Sequence, residues 1–435
     1  MGFVRPIIYS LAAISVSFYY YTVMRYSNNI PIADDFDAVL DFMARFNESS
    51  SLSDKIALIF LQHNEHRIAL TRLTVLANYW LFNNINFKTL IMIGNIGLIG
   101  ILIVIFLSCN KRDSESNNKR NLLWFIPVVF ILFEPQYFGA IFFAMGTIQN
   151  FYVLLFAFLS LYFLPREGTK YFVIAAVFAA MSTFTSGNGI MCFFAGMLAL
   201  FLQKRYKLLI IWSSIILLNA FVYLHGYVQP ADHPSMFRTL LNQPGTVAQY
   251  FIVLLGNIVY IPHIMDNFDS FSTILYLPMV MGSLLLLFFV YLTINKYYIK
   301  NTVIYSFIVF ILLSEMLAAA GRSSLGVFNA LTTRYIVMSV LLVIFSYIAF
   351  LEISADKIIR KYFYIILAAA VSFNIYAFYS NHDKIVMLHK SVKQKFFFFK
   401  DYNTGLTYPN EKKAATILRT SINRGYYRIP DIDFK

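Results

Sequence analysis

The feature that most limits how this chain can fold is a series of apolar stretches long enough to cross a membrane. Such a crossing takes about 20 mostly apolar residues in a helix. A mean hydropathy of +0.64 and a charged fraction of only 13% also argue against a soluble domain. About eleven stretches recur, centred near residues 6–25, 89–107, 122–134, 148–164, 171–186, 190–202, 207–224, 273–293, 302–319, 335–351 and 363–380. The sequence therefore predicts an all-α polytopic membrane protein with about eleven transmembrane helices.

Positive charge is divided unevenly between the connections, and this division predicts the orientation. With the amino terminus placed inside, the inner connections carry fifteen Lys and Arg residues. The short outer connections carry three, Arg238, Arg322 and Arg334. Because short cytoplasmic loops are enriched in Lys and Arg, we predict a cytoplasmic amino terminus and an odd number of spans.

Two long segments fall on the outer side in this topology. Residues 27–88 form a long first outer loop, with surface helices predicted over 36–46 and 54–80 and Ser53 as a cap of the second. Residues 381–435 form a short outer tail after a transmembrane domain of residues 1–380, with a short helix predicted over 411–424. The tail holds eleven Lys and Arg against five Asp and Glu, which is the one observation that conflicts with an outer position.

Residues 246–262 are also apolar enough to span. A twelfth span there would move the positive connections at 295–301 and 352–361 to the outer side. We therefore interpret this stretch as re-entrant or interfacial. The net charge of +13 is mostly explained by topology. It requires no nucleic acid partner, and its surplus suits anionic lipid headgroups or lipid phosphates.

Carboxylates near membrane depth are costly and are therefore candidates for function. Asp34, Asp35 and Asp37 follow the first span directly, and Glu134 ends the third. Glu315 lies inside the ninth span. A less specific interpretation is open for each, since an acidic cluster after a helix can be a solvated cap and a buried glutamate can belong to a structural ion pair.

Cations lie on the same predicted face. Arg322 follows Glu315 by seven residues, on one helix face and about 10 Å along its axis. Arg334 closes the loop that Arg322 opens, and the segment QHNEHR adds His66 and Arg67 as candidate substrate-binding residues. His63 and His66 could bind zinc from one helix face, but the HExxH spacing is absent, so no metal site is assigned.

The combination is more specific than its members. A carboxylate can remove a proton from an attacking hydroxyl group, and arginines can hold a leaving phosphate and neutralise its developing charge. Walker, GxGxxG, GxSxG and CxxC motifs are absent from the sequence, and residues 186–189 (SGNG) are interpreted as a turn between two spans. These residues favour an outer cavity that binds a lipid phosphate.

An acidic cluster directly after the first span, a first outer loop with surface helices and many following spans resemble the GT-C class of glycosyltransferases. Within that class the chain is similar in length and layout to the serotype-converting O-antigen glucosyltransferases of enteric bacteria and their phages. The resemblance covers the architecture of the whole chain, but its motifs are short. Many members carry a large carboxy-terminal domain, which this short tail does not match.

The resemblance implies an enzyme of the bacterial inner membrane, active on the periplasmic side, in the synthesis of lipopolysaccharide. It would move a hexosyl group, glucose in this family, from undecaprenyl phosphate to a sugar hydroxyl of lipid-linked O-antigen. Asp34 or Asp35 is implied as the base or acceptor-positioning residue, ahead of Asp37. Arg322 and Arg334 would hold the phosphate, with Glu134 and Glu315 as orienting groups. No cofactor is assigned, and a divalent cation is left open.

Two other functions fit the same compartment. An O-antigen polymerase or ligase also has about twelve spans and outer arginines, but its large outer loop usually lies in the second half of the chain. A transporter or flippase of lipid-linked sugars should have inverted repeats and charges at mid-membrane. Neither feature is prominent in this sequence.

Overall fold

The protein is almost entirely helical in the residues that the computed structural model describes, which are 4–109, 122–229, 236–260, 271–402 and 404–430. A helix covers each of the eleven predicted apolar stretches. Within the described residues, eight helices are long and apolar enough to cross a membrane, and the remaining three predicted spans are shorter apolar helices. The all-α fold with membrane-crossing helices is thus confirmed, whereas the total number of spans and their orientation remain predictions.

The helices and strands are numbered in chain order. The first part of the chain contains α1 (Val4–Tyr26), α2 (Phe42–Glu48), α3 (Leu52–Phe60), β1 (Gln62–His63), β2 (His66–Arg67), α4 (Ala69–Phe82), α5 (Phe87–Ser108), α6 (Leu122–Leu132), α7 (Phe138–Ile141), α8 (Ala144–Phe163), α9 (Thr169–Thr185), α10 (Met191–Leu202) and α11 (Tyr206–Leu224). The second part contains α12 (Met236–Asn242), α13 (Pro244–Gly256), α14 (Phe271–Ile294), α15 (Tyr297–Lys300), α16 (Thr302–Arg322), α17 (Ile336–Ile353), α18 (Asp356–Tyr402) and α19 (Glu411–Asn423).

One end of the bundle is joined by a buried polar cluster. The Nδ2 atom of Asn301 donates to the backbone carbonyl of Ser108 at 3.0 Å and to the Glu352 carboxylate at 3.0 Å. The hydroxyl group of Tyr297 donates to the same carboxylate at 2.8 Å. These contacts join the ends of α5 and α17 to the start of α16. Buried polar groups persist where they are hydrogen-bonded in this way, so the cluster fixes the end of the bundle that lies away from Asp34.

Helix α13 runs for 13 residues, about 20 Å, and is one of the shorter apolar helices, as α6 and α10 also are. A tight turn follows it, and the Ser339 hydroxyl at the start of α17 bonds on both sides of that turn, to Leu255 O at 2.6 Å and Ile258 N at 3.2 Å. Gly256 packs directly on α14, since a Cβ atom there would lie 2.0 Å from the carbonyl oxygen of Pro278. The re-entrant interpretation of the stretch stays a prediction.

Helix α18 runs unbroken for 47 residues, about 70 Å, and passes through the predicted boundary between residues 380 and 381. Its first half packs on α6, where Asn374 Nδ2 donates to the carbonyls of Phe130 and Phe133 at 2.8 and 2.9 Å. The helix is longer than a bilayer core is thick, so its second half extends past the bundle. There Phe396 and Phe399 are buried against the protein.

The tail after α18 packs on the segment that follows α1. Thr407 O accepts a hydrogen bond from Ala33 N at 2.8 Å, Tyr426 O accepts one from Ile85 N at 2.8 Å, and Arg424 forms an ion pair with Glu48. The predicted tail helix over 411–424 is confirmed as α19. Residues 27–88 and 404–430 therefore form one layer on one end of the bundle, which we call the loop face. The basic tail lies on the same face as the acidic cluster.

The predicted helix over residues 54–80 is wrong, because a β-hairpin interrupts it. Helix α3 ends at Phe60, and α4 begins at Ala69. The buried Arg72 guanidinium donates to the carbonyls of Leu58 and Ile59, at 2.8 and 3.2 Å, and to that of Leu61. Carbonyl groups at a helix end need such partners, so Arg72 stabilises the end of α3. The apolar periodicity of the sequence contains no sign of this interaction.

Two smaller details of the first loop follow. Ser51, not the predicted Ser53, caps α3, and its hydroxyl oxygen accepts from Asp54 N at 3.0 Å. The helix predicted over 36–46 is present as a wide π-helical turn over Phe36–Asp41 that continues into α2. The four inner cations predicted at residues 111, 112, 119 and 120 lie outside the described residues.

Candidate functional site

A strained turn after α1 presents Asp34 on the loop face. Ala33 has a φ angle of 47°, in the left-handed region that residues other than glycine rarely occupy, and its N–H is held by the tail at Thr407. Asp35 N closes the turn onto Ile32 O at 3.0 Å. The Asp34 side chain is half-buried, and its carboxylate makes no hydrogen bond or ion pair with any other described residue. Such strain often accompanies a functional site.

Asp35, the neighbouring candidate, makes structural hydrogen bonds. Its side chain is 1% exposed. One carboxylate oxygen accepts from Ile32 N at 3.3 Å, and the other accepts from Met145 N in the first turn of α8 at 3.0 Å. The residue before α8, Phe143, offers no capping side chain, so Asp35 supplies the acceptor that this helix start needs. Burial raises the pKa of Asp35 from 3.8 to about 7, against the effect of these hydrogen bonds.

This raised pKa predicts a pH dependence of stability. Below about pH 4 the Asp35 carboxyl is protonated in both the folded and the unfolded chain. Between about pH 4 and 7 only the folded chain holds the proton, so its stability falls as pH rises, by up to about 1.4 kcal/mol per pH unit. Asp35→Asn should flatten this slope, whereas Asp54→Asn, at an exposed position, should leave it unchanged. Thermal unfolding followed by tryptophan fluorescence, to which the buried Trp212 contributes, measures it, and an equal slope in Asp35→Asn would contradict the assignment.

Asp37, the third candidate, is bound by the tail. Lys413 Nζ lies 2.8 Å from one carboxylate oxygen, and the Tyr408 hydroxyl donates to the other. The hydrogen bond to Asp37 raises the pKa of Lys413, and burial together with Asp37 raises that of Tyr408 to about 12. Asp37 is therefore neutralised by a cation and joins the acidic segment to α19.

His63 lies in the hairpin between the aspartates and the tail. Its side chain is buried, and burial lowers its pKa below the ordinary 6.5. The negative charges of Asp34 and Asp37 act in the opposite direction, and the positive charges of Arg72 and Lys413 add to the lowering. The imidazole is therefore neutral at pH 7. A neutral ring supplies no positive charge to the Asp34 carboxylate, which lies within its Coulombic range.

The turn of the same hairpin contacts Arg322. Glu65 forms an ion pair with Arg322 at the end of α16, and His66 Nε2 lies 3.7 Å from the Glu65 carboxylate. Gly187 N donates to His66 Nδ1 at 3.2 Å, which leaves the ring proton on Nε2, towards Glu65. A Cβ atom at Gly187 would lie 2.9 Å from the Tyr223 hydroxyl and 3.0 Å from His66 Nδ1, so a side chain does not fit there. The predicted turn at 186–189 thus positions His66.

Arg67, a candidate substrate-binding residue, holds the hairpin in place. Its guanidinium donates to the carbonyl of Tyr223 at 2.6 Å and to those of Phe60 and His225. The side chain is buried, and all three acceptors are backbone atoms at the ends of α3 and α11. These contacts place the Glu65 and His66 side chains beside the end of α16.

The two candidate glutamates are buried deeper in the bundle. Glu315 is 2% exposed in α16, and neither of its carboxylate oxygens has a hydrogen-bond partner among the described residues. Glu134 accepts from Gln136 N at 2.7 Å through one oxygen, while its other oxygen has no partner in the described part of the chain. A structural ion pair between Glu315 and Arg322, which the sequence left open, is not formed, because Arg322 pairs with Glu65.

Arg334 is exposed in a tight turn before α17. Its guanidinium stacks over the Tyr335 ring at 5.0 Å and donates to the Tyr335 hydroxyl at 3.1 Å. Tyr250 of α13 lies within Coulombic range of both Arg334 and Glu315, and its hydroxyl donates to Asn329 at 3.1 Å. Arg334 and Glu315 therefore both act on Tyr250, from two different elements of the bundle.

Sequence reasoning missed three members of the loop face. Lys413 and Tyr408 lie more than 370 residues from Asp37, and only their position in a basic tail offered a signal. Glu65 stood inside the segment QHNEHR, but nothing in the sequence indicated Arg322 as its partner. In the residues that the structure describes, no three His, Cys, Asp or Glu side chains come together as a metal site.

The loop face thus carries a carboxylate that has no partner in the described part of the chain, a neutral histidine and an arginine paired with a glutamate. A single hairpin connects them, since His63 lies at its Asp34 end and Glu65 at its Arg322 end. The chain matches no protein-family model, no curated protein and no solved structure. Its function must therefore be inferred from this arrangement of charges.

Proposed function

We propose that the protein is a membrane-embedded hexosyltransferase. It takes a hexosyl group, glucose in the first instance, from undecaprenyl phosphate and transfers it to a sugar hydroxyl of lipid-linked O-antigen. The reaction takes place on the periplasmic face of the bacterial inner membrane. The observation that carries this proposal is the Asp34 carboxylate, half-buried and without a partner among the described residues, next to the hairpin that binds Arg322.

Asp34 serves as the general base. The acceptor hydroxyl gives its proton to the carboxylate as its oxygen bonds to the anomeric carbon of the hexose. Of the three aspartates in this segment, Asp35 is occupied by two backbone N–H groups and Asp37 by Lys413 and a tyrosine. Asp34 therefore has the carboxylate best able to meet a substrate. A base acts only within hydrogen-bond reach of the proton that it removes.

Arg322 binds the leaving group. As the bond between the anomeric carbon and the phosphate oxygen breaks, its electron pair stays with that oxygen, and undecaprenyl monophosphate gains a negative charge. A guanidinium forms paired, charge-assisted hydrogen bonds to phosphate. In this structure the guanidinium is paired with the Glu65 carboxylate. The phosphate displaces that carboxylate, and one anion thereby replaces another at Arg322.

The orientation proposed here rests on the fifteen inner and three outer cations of the predicted topology. Arg322, one of the three, lies at the loop face. The basic tail lies there too, and its charge is partly offset by Asp37 and Glu48 through two ion pairs. The offset reduces the conflict between a basic tail and a periplasmic position.

A reconstituted transfer assay tests the proposal. The purified full-length protein is given undecaprenyl-phospho-[¹⁴C]glucose and lipid-linked O-antigen in the absence of any nucleotide sugar. We expect label to appear in the O-antigen as single hexosyl branches, without lengthening of the chain. Extension of the polymer, or transfer of the whole glycan to another lipid, would instead identify a polymerase or a ligase. Absence of any transfer with several O-antigen acceptors would contradict the proposal.

A further inference from the structure

Helix α3 has an apolar side that the protein does not cover. None of its nine residues, all of which the structure describes, is buried. Leu52, Ile56 and Phe60 lie on one side of the helix and are 74%, 50% and 39% exposed. Asp54 lies on the opposite side. An isolated helix this short is at best marginally stable in water, so the apolar side of α3 calls for an apolar surface outside the chain.

Helix α4 is polar towards the protein and apolar towards the outside. Its buried side carries Thr71, Asn78 and its one charged residue, Arg72. Its exposed positions all hold apolar or aromatic side chains and are Leu73, Ala77, Trp80, Leu81 and Phe82. A helix at a water-facing surface has the opposite arrangement, with its polar residues outside. An exposed apolar patch of this kind marks an interaction surface.

The apolar side of α3 continues the outer surface of α9, a predicted span. Val173, Val177 and Met181 are exposed on one side of α9, and exposed apolar side chains of a span face lipid. Phe184 is the next residue in this row, and its ring meets the Phe60 ring edge-on at 5.4 Å. The lipid-facing row of α9 therefore runs into the apolar side of α3.

Both ends of α4 lie where spans end. The hairpin before its first turn is held by Arg67, which donates to the carbonyl of Tyr223 at the end of α11 at 2.6 Å. Towards its last turn, Asn78 Oδ1 accepts from the N–H of Asn86, the residue before α5, at 2.9 Å. Helices α5 and α11 are both long and apolar enough to cross a membrane. Helix α4 therefore runs along the membrane boundary, the level at which tryptophan is enriched.

We propose that α3 and α4 rest with their apolar sides in the leaflet of the bilayer at the loop face. The apolar side of such a helix lies ~5–10 Å inside the boundary between headgroups and acyl chains. Every residue of α4 is described, and its exposed side carries no charge. A surface that binds a protein has a polar rim, so lipid is the better complement.

This placement has a consequence for the hairpin that joins the two helices. Glu65 in that hairpin and its partner Arg322 lie close to the lipid headgroups when α3 and α4 are in the leaflet. The proposal does not depend on the transferase function, because none of the apolar side chains of α3 and α4 takes part in it.

Tryptophan quenching in phosphatidylcholine vesicles that contain the full-length protein tests the placement. The signal of Trp80 is the difference between wild type and Trp80→Phe. Lipid brominated on its acyl chains should quench this signal several-fold more strongly than iodide present on both sides of the membrane. Bromine near the headgroups should quench more than bromine near the chain ends, because an interfacial helix does not reach the bilayer centre.

A matched pair of variants tests α3. Ile56→Trp and Asp54→Trp, each combined with Trp80→Phe, place a new ring on opposite sides of the helix. Ile56→Trp should be quenched by the brominated lipid and protected from iodide, and Asp54→Trp should behave in the reverse way. Both positions are exposed, so neither ring has to fit inside the protein.

Two results would overturn the proposal. Strong quenching of Trp80 and of Ile56→Trp by iodide would place both helices in water. Protection of both from iodide and from brominated lipid alike would place their apolar sides against protein, and a cross-linked dimer would then identify a second copy of the chain as the partner. The Trp80 signal comes from a native side chain, so it decides the question even if a new tryptophan disturbs α3.

Discussion

Asp34→Asn should lower the rate of hexosyl transfer by about 10²–10⁴-fold, which is the usual contribution of a general base. Asparagine keeps the size of the side chain but cannot take up the proton of the acceptor hydroxyl. Since the Asp34 carboxylate has no partner among the described residues, its loss leaves no buried group unsatisfied. The variant should therefore fold like wild type. Initial rates in the reconstituted assay measure the effect, with thermal unfolding as the check on folding.

Asp54→Asn is the matched control for this prediction. Asp54 is an exposed carboxylate of the same outer loop, in the first turn of α3, and should be dispensable for transfer. Asp37→Asn removes the partner of Lys413 and Tyr408 and should act through the tail, so a drop in thermal stability should accompany any loss of rate. A fully active Asp34→Asn enzyme would rule out Asp34 as the base.

Arg322→Gln should lower kcat/KM for the lipid donor by about 10²–10³-fold, the usual cost of removing one group that stabilises developing negative charge. Most of the loss should fall on kcat, because the phosphate is more negative after the bond to the hexose has broken. The measurement is a donor titration at saturating acceptor. An effect on KM alone would assign Arg322 to ground-state binding and not to the leaving group.

Glu65→Gln separates this role from a structural one. It removes the anion that now pairs with Arg322 and leaves the guanidinium in place. If Arg322 acts on the phosphate, this variant should keep most of the wild-type rate and bind the donor more tightly, because no carboxylate competes. If the ion pair merely joins the hairpin to α16, Glu65→Gln and Arg322→Gln should lose stability and activity together.

Much of the fold could be predicted from hydropathy. Each of the eleven apolar stretches is a helix, and the tail helix lies where its polar and apolar residues indicated. Hydropathy failed at residues 61–68, where the apolar stripe suggested one continuous helix. Arg67 and Arg72 donate hydrogen bonds to backbone carbonyls at the end of α3. These bonds stabilise the end of the helix, and a hairpin follows it in place of a continuous helix. Periodicity measures where apolar side chains recur, and it does not register such long-range capping.

The candidate site was predictable as a set of residues but not as a set of partners. The acidic segment and Arg322 were identified because placing a charged side chain near the membrane costs free energy, so such residues are candidates for function. Helix spacing placed Glu315 and Arg322 on one helix face and left an ion pair between them open, whereas the structure pairs Arg322 with Glu65, about 250 residues away in the chain. It also separates the three aspartates into a carboxylate unpartnered by any described residue, a helix cap and an ion-pair member. Nothing in the sequence DDFD distinguishes these environments.

The sequence by itself determined that the chain is an all-α membrane protein with acidic and basic groups gathered in its connections, because apolar length and charge are local properties that each stretch carries alone. Only the tertiary structure decided which of those groups remain available. Burial, hydrogen bonds and ion pairs depend on which segments meet. Here the tail pairs with Asp37, the hairpin pairs with Arg322, and the start of α8 hydrogen-bonds to Asp35. Asp34 is left without a partner among the described residues.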